Sequence, residues 1–191
     1  MRGGSLGTPG QAKNNFWKIF SGAAVCLRLM QRRLCCLVMP NKENLQIGMR
    51  PATADDLDFL VGVFLSAGRE MITASRGSWD ATSERVQFEE QLDLSSTRVI
   101  RSGTIDVGFI MLVTKAEDVE LHTICVLPEH QGLGIGSRIT NEVVQSAAES
   151  GRGVVLSVLK ENKRARALYE RLGFVVAGES KHHDHMRFNK P

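Results

Sequence analysis

At 191 residues, with 42% hydrophobic and 24% charged side chains, the chain has the proportions of a globular protein with room for one ordinary domain and a remainder. Its formal charge of +3 conceals an asymmetry, because seven of the 24 Lys and Arg precede Glu43, the first acidic residue, leaving 17 basic against all 21 acidic side chains in residues 43–191. The basic character belongs to the leader, and a nucleic-acid-binding domain is not expected.

Residues 1–45 differ in kind from the rest. "MRGGSLGTPGQAKNN" has too few apolar residues to bury, and "FWKIFSGAAVCLRLMQRRLCCLVM" is apolar but broken by Lys18, Arg28, Arg32 and Arg33. Its uninterrupted apolar runs fall short of the ~20 residues a spanning helix needs, so no membrane span is expected. Three readings stand for this leader: a targeting peptide, an interfacial helix, or a poorly ordered tail ahead of a true start near Met39. Cys26, Cys35 and Cys36 lie in it and only Cys125 beyond it. That distribution gives neither a disulfide framework nor metal-ligand spacing, so no metal is expected, and a reducing, cytoplasmic location is.

From Ile47 onward strand-like and helix-like segments follow one another. "LQIGMRPAT" alternates apolar and polar residues. Thr53 then precedes a helix over "ADDLDFLVGVFLSAG", with Leu57, Leu60, Val61, Phe64 and Leu65 along one side. "DATSERVQFEEQL" predicts a second helix. "TRVI" and "IDVGFIMLV" form a hairpin around "RSGT", and "VELHTICVL" is a further strand. Next come a glycine loop, a helix from about Ser137 to Ser150, a strand "GVVLSVL", a helix "NKRARALYERL", and strands "FVVAGES" and "HHDHMRF". This order predicts one domain over residues 46–191 of the α/β class. It has a mixed, twisted sheet, predominantly antiparallel, flanked by helices and with a parallel crossover at the glycine loop.

The loop "LPEHQGLGIGSRIT", residues 127–140, links a strand to a helix N-terminus. Gly132, Gly134 and Gly136 permit backbone conformations and close approaches that a Cβ would block, so successive N–H groups face outward with the helix dipole behind them, a nest suited to phosphate. The spacing is neither a P-loop nor a dinucleotide fingerprint. A tight turn with glycines chosen for packing is the competing explanation.

The company the loop keeps is more specific. Gln131-x-x-Gly134-x-Gly136 resembles the Gln/Arg-x-x-Gly-x-Gly/Ala signature of the GCN5-related N-acetyltransferases. "ENKRARALYERLGF" resembles that family's second signature, through Asn162, Ala165, Leu168, Tyr169, Gly173 and Phe174. The resemblance implies an enzyme that moves an acetyl group from acetyl-coenzyme A to an amine by direct attack, with no metal. It places the pantetheine arm along the main chain of Ile124, Cys125 and Val126, with the Val126 N–H as oxyanion donor. It also places the pyrophosphate on Gln131, Gly132, Leu133, Gly134, Ile135, Gly136 and Ser137. Asn162 then caps a helix and touches the cofactor arm, Arg138 and Arg164 are phosphate contacts, and Tyr169, the only tyrosine, is the acid that protonates the thiolate.

The base stays open between His122, Glu120 and water. Strict alternation along "VELHTICV" sets Glu120, His122, Ile124 and Val126 on one strand face and Leu121, Thr123 and Cys125 on the other. His122 has the imidazole pKa suited to neutral pH, and it resembles the strand histidine of the arylalkylamine branch of the family. In "KHHDH" alternation separates His183 and His185 from His182 and Asp184, so the cluster is awkward as a metal site. In the family the last strands border the acceptor, which makes His183 and His185 substrate contacts, with Trp79 and Phe88 as a facing wall or plain core. The implied acceptor is the amine of a small molecule. The alternatives are a protein N-terminus or lysine, and a non-catalytic acyl-coenzyme A binding module. A homodimer is compatible with the family.

Overall fold

The computed structural model describes residues 46–188; the readings of the leader therefore lie outside the described residues. Seven strands and four helices follow in the order β1 (Ile47–Pro51), α1 (Leu57–Arg76), α2 (Ala81–Gln91), β2 (Thr97–Ser102), β3 (Ile105–Thr114), β4 (Asp118–Val126), α3 (Ile135–Glu149), β5 (Gly153–Leu159), α4 (Lys163–Arg171), β6 (Val175–Glu179) and β7 (His183–Phe188). They form one sheet ordered β1-β2-β3-β4-β5-β7-β6, in which only β4 and β5 run parallel. The mixed, mainly antiparallel sheet and its single parallel crossover are those expected.

Each face of the sheet carries its own core. On one, Leu60, Phe64 and Ile72 of α1 and Phe88 of α2 close over Val99, Phe109, Met111 and Cys125, with Phe64 and Phe88 stacked at 4.3 Å between ring centroids. On the other, Ile135, Ile139 and Val143 of α3 and Ala165 and Tyr169 of α4 cover Ile110, Leu121, Ile124, Leu156 and Val158. Burying such apolar side chains is the main favourable term in folding. The alternating strands put one residue set into each core.

Two sequence expectations are corrected. α1 begins at Leu57, after a short 3-10 turn over Ala54–Asp56, and does not stop at Gly68 but runs to Arg76. Ile72, fully buried one turn beyond Gly68, continues the apolar stripe, and Gly77 at φ 75° ends the helix. The second correction concerns β4. Met111 pairs with Thr123 and Leu112 with Leu121, so His122 is the extra residue of a β-bulge. The bulge resets the alternation: Leu121 joins Ile124 and Val126 in the α3–α4 core, while Glu120 and Thr123 share the opposite face with Cys125.

The N-terminal edge is held by charge. Arg50 on β1 grips both oxygens of Asp56 at 2.8 and 2.7 Å and reaches Asp106 of β3 at 2.6 Å, while Asp56 also accepts the Thr53 N–H at 2.8 Å. The guanidinium holds the Asp56 carboxyl well below the usual carboxylate range. Because the folded-state pKa is depressed, this contribution is complete above the unfolded pKa of ~3.9 and is lost as pH falls toward the folded value. Asp56→Asn is expected to cost about 2 kcal/mol at pH 7. In urea unfolding the difference from the native chain should shrink below pH 4.

Candidate functional site

Parallel pairing of β4 with β5 covers only Asp118–Leu121 against Gly153–Leu156. Beyond it the strands part, β4 continuing on β3 through Val126 and β5 on β7 through Leu159. The β4 edge facing the gap therefore has main-chain groups without a strand partner. Leu127 donates its N–H to Val107 O at 2.9 Å on the β3 side, and successive strand residues alternate edges, so Val126 turns its N–H and C=O to the gap. Gln131 Nε2 accordingly meets the Val126 carbonyl at 2.8 Å. Across β4, Gly108 has no room for a side chain, because a Cβ there would run into the Cys125 carbonyl.

The glycine loop closes one end of the gap. Gly132 and Gly134 hold φ of 76° and 84°, conformations that favour glycine, and Gly134 is the N-cap of α3 without any side-chain cap. Arg138 is the first residue whose N–H bonds back, to Gly134 O at 3.1 Å, so Ile135, Gly136 and Ser137 present N–H groups with no intrahelical acceptor. α3 thus starts two residues earlier than expected. An uncapped N-terminus behind a positive-φ loop suits an anion.

Together these elements enclose a cleft of about 210 Å³. Its walls include Ile124, Val126, Gln131, Gly132, Gly134, Ile135, Gly136, Ser137 and, from α4, Arg164, Ala165 and Leu168. The structure so brings the two sequence signatures together across one opening. His130, Thr140 and Arg171 also line it and were not singled out from the sequence. Thr140 lies one helical turn after Gly136, and Arg171 follows Leu168 by three residues, so helical periodicity alone could have found both. Cys125, Leu133, Arg138, Asn162 and Tyr169 are not on the open wall.

Of these, Cys125, Asn162 and Tyr169 are buried. Asn162 caps α4 as expected, its Oδ1 accepting the Ala165 N–H at 3.0 Å. Tyr169 is wholly buried, and burial, reinforced by nearby Cys125, raises its pKa, so the phenol keeps its proton at neutral pH. Its hydroxyl has no hydrogen-bond partner among the described residues; nor do Thr140 Oγ1 and Gln131 Oε1. Buried polar atoms left single are costly, and a polar ligand in the cleft would supply what they lack. Burial also pushes the Cys125 thiol up to about 12, which leaves it no thiolate character for nucleophilic attack.

His122 sits at the mouth of the gap, where the bulge sets it. Burial lowers its pKa, Glu120 opposes that shift and Lys115 adds to it, so the imidazole is neutral at pH 7. Thr123 Oγ1 lies 3.5 Å from its Nδ1. Glu120 is tied to Lys115 Nζ at 2.7 Å. His185 Nδ1 meets Ser157 Oγ at 2.8 Å, and Asp184, on the opposite strand face, pairs with Arg166 of α4 at 2.6 Å. His183 is buried on the same face as His185. Trp79 packs against the α1–α2 core, as Phe88 does, and is not on the cleft wall.

Residues 95–176 match the family model described as the acetyltransferase (GNAT) domain. The 5-NmdU N-acetyltransferase of Pseudomonas phage PaMx11 is 37% identical over 103 residues, 49% of this chain and 72% of that one. The ribosomal protein bS18-alanine N-acetyltransferase of Haemophilus influenzae is 30% identical over 93 residues, 49% of this chain and 61%, less than two thirds, of that enzyme. Among solved structures, the PaiA N-acetyltransferase of Thermoplasma acidophilum, in complex with coenzyme A, superposes with a TM-score of 0.56 at 21% identity, covering 75% of this chain and 98% of that one.

The two kinds of glycine in the loop separate by stability. Gly134→Ala places a Cβ at φ 84° and is expected to cost about 1–2 kcal/mol in urea unfolding. Gly136 lies within α3, where an added methyl would meet only Leu168 Cδ2, at 3.8 Å, so Gly136→Ala should be neutral or stabilise by up to about 1 kcal/mol.

Proposed function

The chain belongs to the GCN5-related N-acetyltransferase family, and on that premise we propose that it transfers the acetyl group of acetyl-coenzyme A to a primary amine of a small molecule by direct attack. The observation that carries the reading is the early end of the β4–β5 ladder, which leaves a strand edge open beside an uncapped helix N-terminus. An extended amide chain can pair with the first, and a pyrophosphate can be neutralised by the second.

Acetyl-coenzyme A supplies the thioester in this scheme. The main chain of Ile124 and Val126 binds the pantetheine arm, with the Val126 N–H polarising the thioester carbonyl; the Cys125 main chain, expected to share this role, faces Phe109 of β3 instead. The loop from Gln131 to Ser137 binds the pyrophosphate, with Arg138 and Arg164 as outer contacts. His122, neutral and half-buried, takes the proton of the attacking amine; Glu120, already bonded to Lys115, acts on it through charge. The nitrogen–carbon bond forms as the carbon–sulfur bond breaks, and Tyr169 gives the phenolic proton to the departing thiolate. With Cys125 held as a thiol, attack on the thioester needs no acyl-enzyme. His183 and His185 border the acceptor, and Asn162 orders α4 against the cofactor arm. The similarity to a ribosomal-protein acetyltransferase keeps a protein N-terminus as the second reading of the acceptor.

Thiol release from acetyl-coenzyme A against a panel of primary amines tests the reading. Tyr169→Phe should lower kcat by about 10²–10³-fold while calorimetry still detects coenzyme A binding. Unchanged turnover in that variant would remove Tyr169 from the chemistry. A base must be unprotonated to work, and the imidazole pKa of His122 is depressed, so kcat at saturating amine should show an ascending limb centred below the ordinary imidazole pKa of ~6.5. That ascending limb should be absent in His122→Gln.

A further inference from the structure

The strand register sets out the polar groups on the sheet face opposite the α3–α4 core, the face on which the proposed acceptor contacts His183 and His185 lie. Val155 of β5 lies between Glu120 of β4 and Arg187 of β7, and Ser157 pairs with His185. Leu156, Val158 and Met186 belong to the α3–α4 core, so alternation turns Val155, Ser157, His185 and Arg187 to the other side of the sheet. Glu120 and Asp118, two residues apart on β4, share that side.

Both carboxylates on this face are already matched. Lys115 Nζ lies 2.7 Å from Glu120, and the Arg187 guanidinium lies 2.6 Å from Asp118. The second oxygen of Asp118 lies over Gly153, sealed from solvent and without a hydrogen-bond partner among the described residues, so no incoming ammonium reaches it. The row also holds a serine hydroxyl bonded to an imidazole at 2.8 Å. The row offers hydrogen bonds without an unmatched negative charge.

We propose that these two closed ion pairs set the charge class of the acceptor: a primary monoamine whose remaining polar groups are uncharged, and not a polyamine. The inference rests on the reading of the cleft as the acetyl-transfer site. A second ammonium entering this face would give up its hydration and compete with Lys115 or Arg187 for a carboxylate already paired in charge. An uncharged polar tail meets the Ser157–His185 pair, which can both donate and accept. Discrimination by a missing counter-charge is specificity by exclusion.

The full chain, assayed by thiol release with uncharged-tail primary monoamines beside spermidine and putrescine, provides the test. At least one monoamine should exceed both polyamines in kcat/KM by about tenfold or more. Lys115→Gln, at an exposed side chain, frees Glu120 and should raise the spermidine-to-monoamine ratio roughly five-fold, whereas Glu120→Gln should lower it. A merely structural role would lower both amines together and leave the ratio still. Spermidine or putrescine as the best acceptor of the native chain, or a ratio unmoved in both variants, overturns the proposal. Failure of the native chain to bind coenzyme A in calorimetry, with no amine turned over, overturns instead the acetyl-transfer reading beneath it.

Discussion

The ladder between β4 and β5 lasts from Asp118–Gly153 to Leu121–Leu156 and then stops, while each strand keeps its pairing on the other edge. β5 is bound along its length to β7, and β4 follows β3. The bulge at His122 lies at the first residue past the last shared pair, where added local twist turns β4 away from its parallel neighbour. The opening is thus a product of pairing rules, with no lid or insertion needed to make it. Residues of the α3–α4 core then furnish its apolar walls.

Rigidity comes from the helices on either side. α3 is anchored by Ile135, Ile139 and Val143, which fixes the N–H groups of its first turn in place. α4 is shorter, nine residues, and its own backbone cannot hold it. It depends on the Asn162 cap, on the burial of Ala165 and Tyr169, and on Arg166, which bonds Asp184 of β7. Asp184 is 3% exposed at its side chain, so removing Arg166 would strand a charge in the interior. The wall that carries Tyr169 is therefore tied to the strand that carries His185. Geometry on one side of the sheet constrains chemistry on the other.

Much of this was legible in the sequence because it is local. The strand at "GVVLSVL", the cap at Asn162 and the positive-φ glycines each follow from residues within one turn or one strand of each other. What was not legible is what depends on pairing across the sheet. Nothing in "VELHTICV" marks His122 as the bulged residue, and perfect alternation put Glu120 beside Ile124, where the structure puts Leu121. The run of α1 past Gly68 likewise depends on a core contact of Ile72 that propensity does not carry. Trp79, partly buried, packs against the α1–α2 core, a contact that its sequence neighbours do not reveal.

The single hydroxyl of Tyr169 links folding to binding. It is removed from water without gaining a partner among the described residues, a cost of about 1–3 kcal/mol that a phenyl ring in the same place would not carry. A hydrogen-bonding group reaching the hydroxyl would offset that cost. Selection for thermal stability alone would replace this oxygen with hydrogen. On the proposed role of Tyr169, the oxygen is kept for the reaction in the occupied cleft and not for the stability of the ligand-free chain.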